Sequence, residues 1–229
     1  MILGSGTNEA VNGNGIHLWN ATDARIDSNI VRGHRDGIYL EFAHRVLATG
    51  NESSGNRRYG LHFMFSDDCT YRDNTFRANG GGVAVMYSRL VMLDGNRFEH
   101  ADGPSAYGLL LKEIRDSRIS GNRFTHNTVA LYTEGASRNA FLANEFRDNG
   151  WAIRLLQSSD DDRFEGNRFV GNSFDVTTNG RSNTSRFDGN SWDRYAGYDL
   201  DRDGVGDVPF RPVRRFALLV EQHEGAILL

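Results

Sequence analysis

The chain has 229 residues and a formal net charge of −4, too acidic for a general nucleic-acid binder, and no apolar run approaches the roughly 18 residues of a membrane helix. Only 3 prolines stand against 26 glycines, so this is not a Pro-rich disordered chain, and one cysteine, Cys69, excludes an intrachain disulfide. Lys112 is the only lysine, so nearly all positive charge is guanidinium.

The chain starts "MILGSGTNEA", which has neither a basic nor an apolar leader region, so no signal peptide is expected. Glycine- or alanine-led short strands then recur: "GIHLWN", "GIYLEF", "GLHFMF", "GVAVMY", "GLLLKE", "ALYTEG" and "AIRLLQ". A second frame runs in step, with Asn29, Asn51, Asn74, Asn96, Asn122, Asn144, Asn167 and Asn190 separated by 22, 23, 22, 26, 22, 23 and 23 residues. The one long interval holds "ADGPSAY", which reads as a loop insertion of about four residues into one coil. The period is too short for a two-helix repeat and lacks the fixed leucines of leucine-rich repeats. Short β-like runs divided by Gly, Asn, Asp and Ser turns predict an all-β fold, a right-handed single-stranded parallel β-helix with three strands per coil. Its coils are 22–23 residues long. Asparagines stacked at one corner would satisfy turn backbone along the axis. No coil buries enough apolar surface alone, so stability comes from stacking. The repeats are expected over 1–196, followed over 197–229 by an acidic segment and a C-terminal cap.

Side chains alternate along each glycine-led strand. Ile38 and Leu40, then Leu61, Phe63 and Phe65, then Val83 and Val85 are expected inward, continuing with Leu109 and Leu111, Leu131 and Thr133, and Ile153 and Leu155. Two outward columns remain. One runs His17, Tyr39, His62, Ala84, Leu110, Tyr132, Arg154; the other runs Trp19, Glu41, Met64, Met86, Lys112, Glu134, Leu156. Coils repeat every 4.8 Å or so, making Met64 and Met86 neighbours, and His62 lies about 7 Å from Met64 on the same strand and face. Two thioethers with an imidazole suit Cu(I) better than hard cations, so His62, Met64 and Met86 form a candidate, transient copper(I) site. The same face could equally be a protein contact surface, with Trp19, Tyr39, Glu41, Lys112 and Tyr132 as its members.

Other polar groups give less. Glu41 and Glu134 stand four coils apart, roughly 19 Å, too far for the paired carboxylates of a glycosidase. Asp67–Asp68 and Asp160–Asp161–Asp162 read as solvated turns, and His34, Arg35 and Asp36 in "GHRDG" as a charged corner in preference to a small polar site. Neither a nucleophile–base pair, a phosphate loop nor zinc spacing is evident. Near the end, "DLDRDGVGD" places Asp199, Asp201, Asp203 and Asp207 at positions 1, 3, 5 and 9 of a calcium-type loop, with Gly204 at 6 and the Val205 carbonyl at 7. Position 12 is Phe210 rather than an acid, and an acidic capping loop is the other reading. Calcium there would be structural. The closing "FRPVRRFALLVEQHEGAILL" is expected to cap the last coil or touch a partner.

"GHRDGIYLEFAHR", "RRYGLHFMFSDDCTY", "GLLLKEI" and "GYDLDRDGVGDVPF" closely resemble the NosD family over essentially the whole chain. That resemblance implies a parallel β-helix in the periplasm, without catalytic activity of its own. It implies partnership with an ABC transporter of membrane permease and cytoplasmic ATPase, with a copper-chaperone lipoprotein and with nitrous oxide reductase, whose copper–sulfide centre the system matures. The membrane would be reached only through the permease. It carries over no copper ligands. A carbohydrate-binding or polysaccharide-processing β-helix is the alternative.

Overall fold

The computed structural model describes residues 1–4, 12–103, 106–156, 158–180 and 184–213. Among them there is no helix, and every pairing is parallel between successive coils. The strands form three sheets of eight, eight and nine members, each joining strands one coil apart, which is a parallel β-helix. The first sheet holds the longest strands, from Ile16–Trp19 through Tyr59–Met64, Gly81–Met86, Tyr107–Lys112 and Val129–Glu134 to Phe174–Thr178. The second runs from Arg25–Asp27 to Arg186–Asp188, and the third from Ile2–Leu3 to Ser191–Trp192.

Corners make this winding possible. Residues with φ near +50° recur at the turns, and many are not glycine: Phe42, Phe65 and Tyr87 at one corner, Arg45, Asp68 and Leu90 at the next. Such backbone is costly for L-residues and persists only where neighbours fix it. The fixing groups are ladders. Asn96 donates its backbone N–H and Nδ2 to Asn122 Oδ1 at 2.8 and 3.0 Å, and Asn122 repeats both bonds to Asn144. From Asn51 onward each Nδ2 also donates to a carbonyl of the previous coil, as Asn122 does to Leu93 at 2.8 Å. This series runs from Asn29 to Asn190, the predicted frame.

A second ladder, not anticipated, lies at the following corner. His34 N–H donates to Asn56, Asn56 to Asn79, Asn127 to Asn149 and Asn149 to Asn172. It breaks at Ala101, which donates its N–H to Asn127 Oδ1 but offers Asn79 no side-chain acceptor. The break coincides with the insertion.

Within the coils, Phe76, Phe98, Phe124, Phe146, Phe169 and Trp192 stack with ring centroids 5.7, 4.6, 4.8, 5.0 and 4.0 Å apart. Burying each such ring contributes about 2–3 kcal/mol. The inward series of the long strands is buried as expected, with one correction. Phe65 is 42% exposed. The strand ends at Met64, and the left-handed turn at Phe65 ends the alternation and turns the ring out onto Phe42 and Tyr87. Glu113 occupies the same column two coils on, and a core position would not accept its unpaired carboxylate.

Candidate functional site

The outer face of the long-strand sheet carries the two predicted columns in register. Tyr39 pairs with His62 and His62 with Ala84, while Glu41 pairs with Met64 and Met64 with Met86. Met86 is followed by Lys112 and then Glu134. Met64 and Met86 are half-buried, with backbones one coil apart. Trp19 opens the column and is 67% exposed. Lys112 Nζ meets Glu134 Oε1 at 3.1 Å, closing it with an ion pair that pulls the lysine pKa up through that hydrogen bond.

His62 points outward but is covered, with only 7% of its surface exposed. Its ring lies against Tyr39 and Tyr59, each at 5.0 Å. Behind it sits Asp36, the last residue of the supposed charged corner, which is fully buried rather than solvated. Asp36 accepts from Arg58 Nε at 2.8 Å, from Arg58 Nη2 and from the Tyr59 N–H at 3.2 Å. Burial pushes its carboxyl pKa up, but the hydrogen bonds from Arg58 and His62 outweigh this and hold it at about 2. His62 Nδ1 lies 3.9 Å from Asp36 Oδ2 and 3.5 Å from Arg58 Nη2. The ring thus turns its Nδ1 edge toward the Asp36–Arg58 pair, which leaves Nε2 as the nitrogen outside that pair. That nitrogen is buried and has no hydrogen-bond partner. An orphan of this kind costs about 1–3 kcal/mol. A carboxylate behind a histidine is also how metal-binding imidazoles are oriented.

On the other side of the methionines runs the exposed strip Phe42, Phe65 and Tyr87, stacked at 5.3 and 5.1 Å. Beside it Phe65, Asp67, Tyr87, Ser88, Arg89, Glu113 and Arg115 line a surface groove of about 440 Å³. The methionines therefore stand on a ridge between a buried polar cluster and an aromatic strip. Tyr132 lies further along the face, its ring 4.8 Å from Tyr107 and under the Arg154 guanidinium at 5.9 Å. Among the described residues, Glu41 and Glu134 of this face remain four register steps apart and form no carboxylate pair.

Beyond the last coil, carboxylate oxygens of Asp199, Asp201 and Asp203 lie within 4.8 Å of one another, all exposed. Gly204 turns the chain at φ +87°, and Asp203 Oδ1 accepts from the Val205 N–H at 2.7 Å. Asp207 stands outside the trio, with its Oδ2 accepting from the Leu200 N–H at 2.7 Å. Phe210, in the twelfth position, packs on Trp192 at 4.9 Å and anchors the loop to the end of the β-helix. Most of the predicted C-terminal cap, residues 214–229, lies outside the described residues.

A family model described as periplasmic copper-binding protein (NosD) matches residues 2–197. A probable ABC transporter binding protein NosD from Stutzerimonas stutzeri is 34% identical over 218 residues, covering 87% of this chain and 49% of that protein. One of the same name from Pseudomonas aeruginosa is 34% identical over 169 residues, 73% of this chain and 32% of that protein. The chain thus spans half or less of these curated relatives. Among solved structures, the Azotobacter vinelandii mannuronan C-5 epimerase AlgE6 A-module superposes with a TM-score of 0.61 at 14% identity, over 74% of this chain and 58% of that one. The periplasmic alginate epimerase AlgG gives 0.60 at 12% identity, over 73% and 50%. At such identities the likeness is one of fold alone.

Proposed function

The chain belongs to the NosD family of periplasmic copper-binding proteins, and on that premise we propose that it is a non-catalytic component of a machinery that supplies copper to nitrous oxide reductase for its copper–sulfide centre. In this reading the chain works in the periplasm with the permease and ATPase of an ABC transporter, and receives copper from a chaperone lipoprotein. The observation that carries it is the register pair Met64 and Met86 beside His62, whose Nε2 is buried without a partner. Two thioethers and one imidazole make a soft donor set for Cu(I), and a set on an outer face can pass the ion on. Asp36 orients His62 from behind. Trp19, Tyr39, Glu41, Lys112 and Tyr132 flank the ligands as the surface a copper donor or acceptor protein would cover. Calcium would bind Asp199, Asp201, Asp203, the Val205 carbonyl and Asp207 as a structural ion at the end of the β-helix.

The test is Cu(I) affinity, measured by competition with a chromophoric chelator, for wild type and Met64→Ala/Met86→Ala. The double variant should bind at least tenfold more weakly. Equal affinity removes the site. A polysaccharide-processing reading would need paired carboxylates 5–9.5 Å or so apart, which this face lacks.

A further inference from the structure

We propose that His100 and His126 form a second metal site, for a divalent ion of the Zn2+ or Cu2+ class, at the corner that precedes the long strands. It goes beyond the thioether site, because its donors are two imidazoles on a different corner.

Arg97, Phe98 and Glu99 pair with Arg123, Phe124 and Thr125, which brings His100 and His126 to the same corner of adjacent coils. Their backbones are held there, His100 N–H donating to the Thr125 carbonyl at 3.1 Å and His126 N–H to that of Arg147 at 3.3 Å. Both residues have φ +54° at a corner where other coils use Gly33, Gly55 and Gly171, and both side chains are exposed. The two rings stack at a centroid distance of 5.1 Å with planes 9° apart. Among the described residues, neither ring takes part in a hydrogen bond or an ion pair. Two exposed imidazoles, close and parallel, bring two nitrogen donors to one edge. A metal bound at 2.0–2.1 Å to each nitrogen, as zinc is, needs the two nitrogens only about 3 Å apart, and exposed rings can turn about Cβ–Cγ to reach that.

The same column carries a carboxylate. Thr125 pairs with Arg147, so Asp148 follows His126 by one coil, at φ +53° and with its side chain exposed. Its Oδ1 leans over Gly171 of the next coil, so the two imidazoles are the donors and Asp148 adds negative charge to the edge. Imidazole suits Zn2+ and Cu2+, whereas Cu(I) prefers the sulfur of the methionine face. Solvent completes the coordination sphere.

The experiment titrates Zn2+ into the full chain by calorimetry and records Cu2+ electron paramagnetic resonance on wild type, His100→Gln, His126→Gln and Asp148→Asn. Wild type should bind one Zn2+ at this corner. Each histidine variant should weaken it at least tenfold and reduce the coupled imidazole nitrogens from two to one, and Asp148→Asn should weaken it severalfold. Cu(I) affinity should not change in any of them, which separates this site from Met64 and Met86. Zinc should also shield His100 and His126 of the wild-type protein from diethyl pyrocarbonate, a readout that needs no variant. Unchanged Zn2+ affinity in both histidine variants, or undiminished carbethoxylation with zinc present, overturns the site.

Discussion

Two series of side chains run along this molecule in the same backbone register, and they behave in opposite ways. The corner from Asn29 to Asn190 repeats one residue in every coil with the same bonds. The outward column of the long strands changes at every step but one, from Trp19 through Glu41 to the pair Met64 and Met86 and on through Lys112 to Glu134. In the first series each side chain's partner is its own copy one coil away, buried where an unpaired amide is costly, so chemistry fixes the residue. In the second the partner is whatever lies outside. Repetition marks what holds the β-helix together, and its absence marks where the β-helix meets something else.

The comparison breaks most sharply if an interior ladder residue proves dispensable. Asn122→Ala removes the acceptor of the Asn96 N–H and Nδ2 and the donor to the Leu93 carbonyl and Asn144 Oδ1. All lie in the buried interior, so the loss should be about 3–5 kcal/mol in equilibrium denaturation. A change below about 1 kcal/mol would mean that the ladder follows the fold rather than fixing it.

A third corner offers a smaller test of opposite sign. There Ser117 N–H donates to Asn139, and the Asn139 N–H and Nδ2 both donate to Asp162 Oδ1 at 2.8 and 3.0 Å. Asp162 is fully buried, and its Oδ2 has no partner. Burial raises its pKa to about 6 from 3.8, with the Asn139 bonds opposing and Asp160 and Asp161 adding to the rise. The folded state therefore disfavours the ionised form. No penalty exists below the unfolded value near 4; stability falls as pH rises from about 4 to 6 and stays lowered above it. Two pKa units correspond to about 3 kcal/mol. Asp162→Asn keeps the acceptor and offers Nδ2 to the Ala136 carbonyl, as Asn139 does to that of Ile114. It should stabilise the protein by about 2–3 kcal/mol at pH 8 and by little at pH 4. Equal effects at both pH values would show that ionisation is not the cause.

The period was legible because Asn spacing survives every other change of sequence, and the inward series followed from simple alternation. Alternation failed at Phe65 because it holds only while the chain is extended, and nothing within "FMFSDD" announces the left-handed turn; only the column with Glu113 does. Asp36 read as part of a charged corner because Arg58 and His62, which bury it, arrive a coil later. Asp162 read as one of three turn acids, although only it takes the inward ladder position. The second ladder was partly hidden by His34 and Ala101, which interrupt its asparagines. His100 and His126 escaped notice because the insertion stretches their separation to 26 residues, out of step with the rest.

The smallest expected effect lies where both series have ended. The loop of Asp199, Asp201 and Asp203 hangs beyond the last coil, joined to it through Phe210 on Trp192. Three exposed carboxylates converge there, held in part by the Asp203 and Gly204 N–H groups, so calcium should order the loop and leave the ladders untouched. At calcium tenfold above its dissociation constant the gain is about 1.4 kcal/mol, or roughly 2–4 °C in Tm for a chain of this size, and less if the loop melts before the coils. Emission from Tyr195 and Tyr198, which flank the loop, reads the change more directly than Tm. Calcium should alter it in wild type and not in Asp199→Asn/Asp201→Asn, and chelator should reverse it. A melting temperature and an emission spectrum both indifferent to calcium would make the loop a cap held by its aromatic anchor alone.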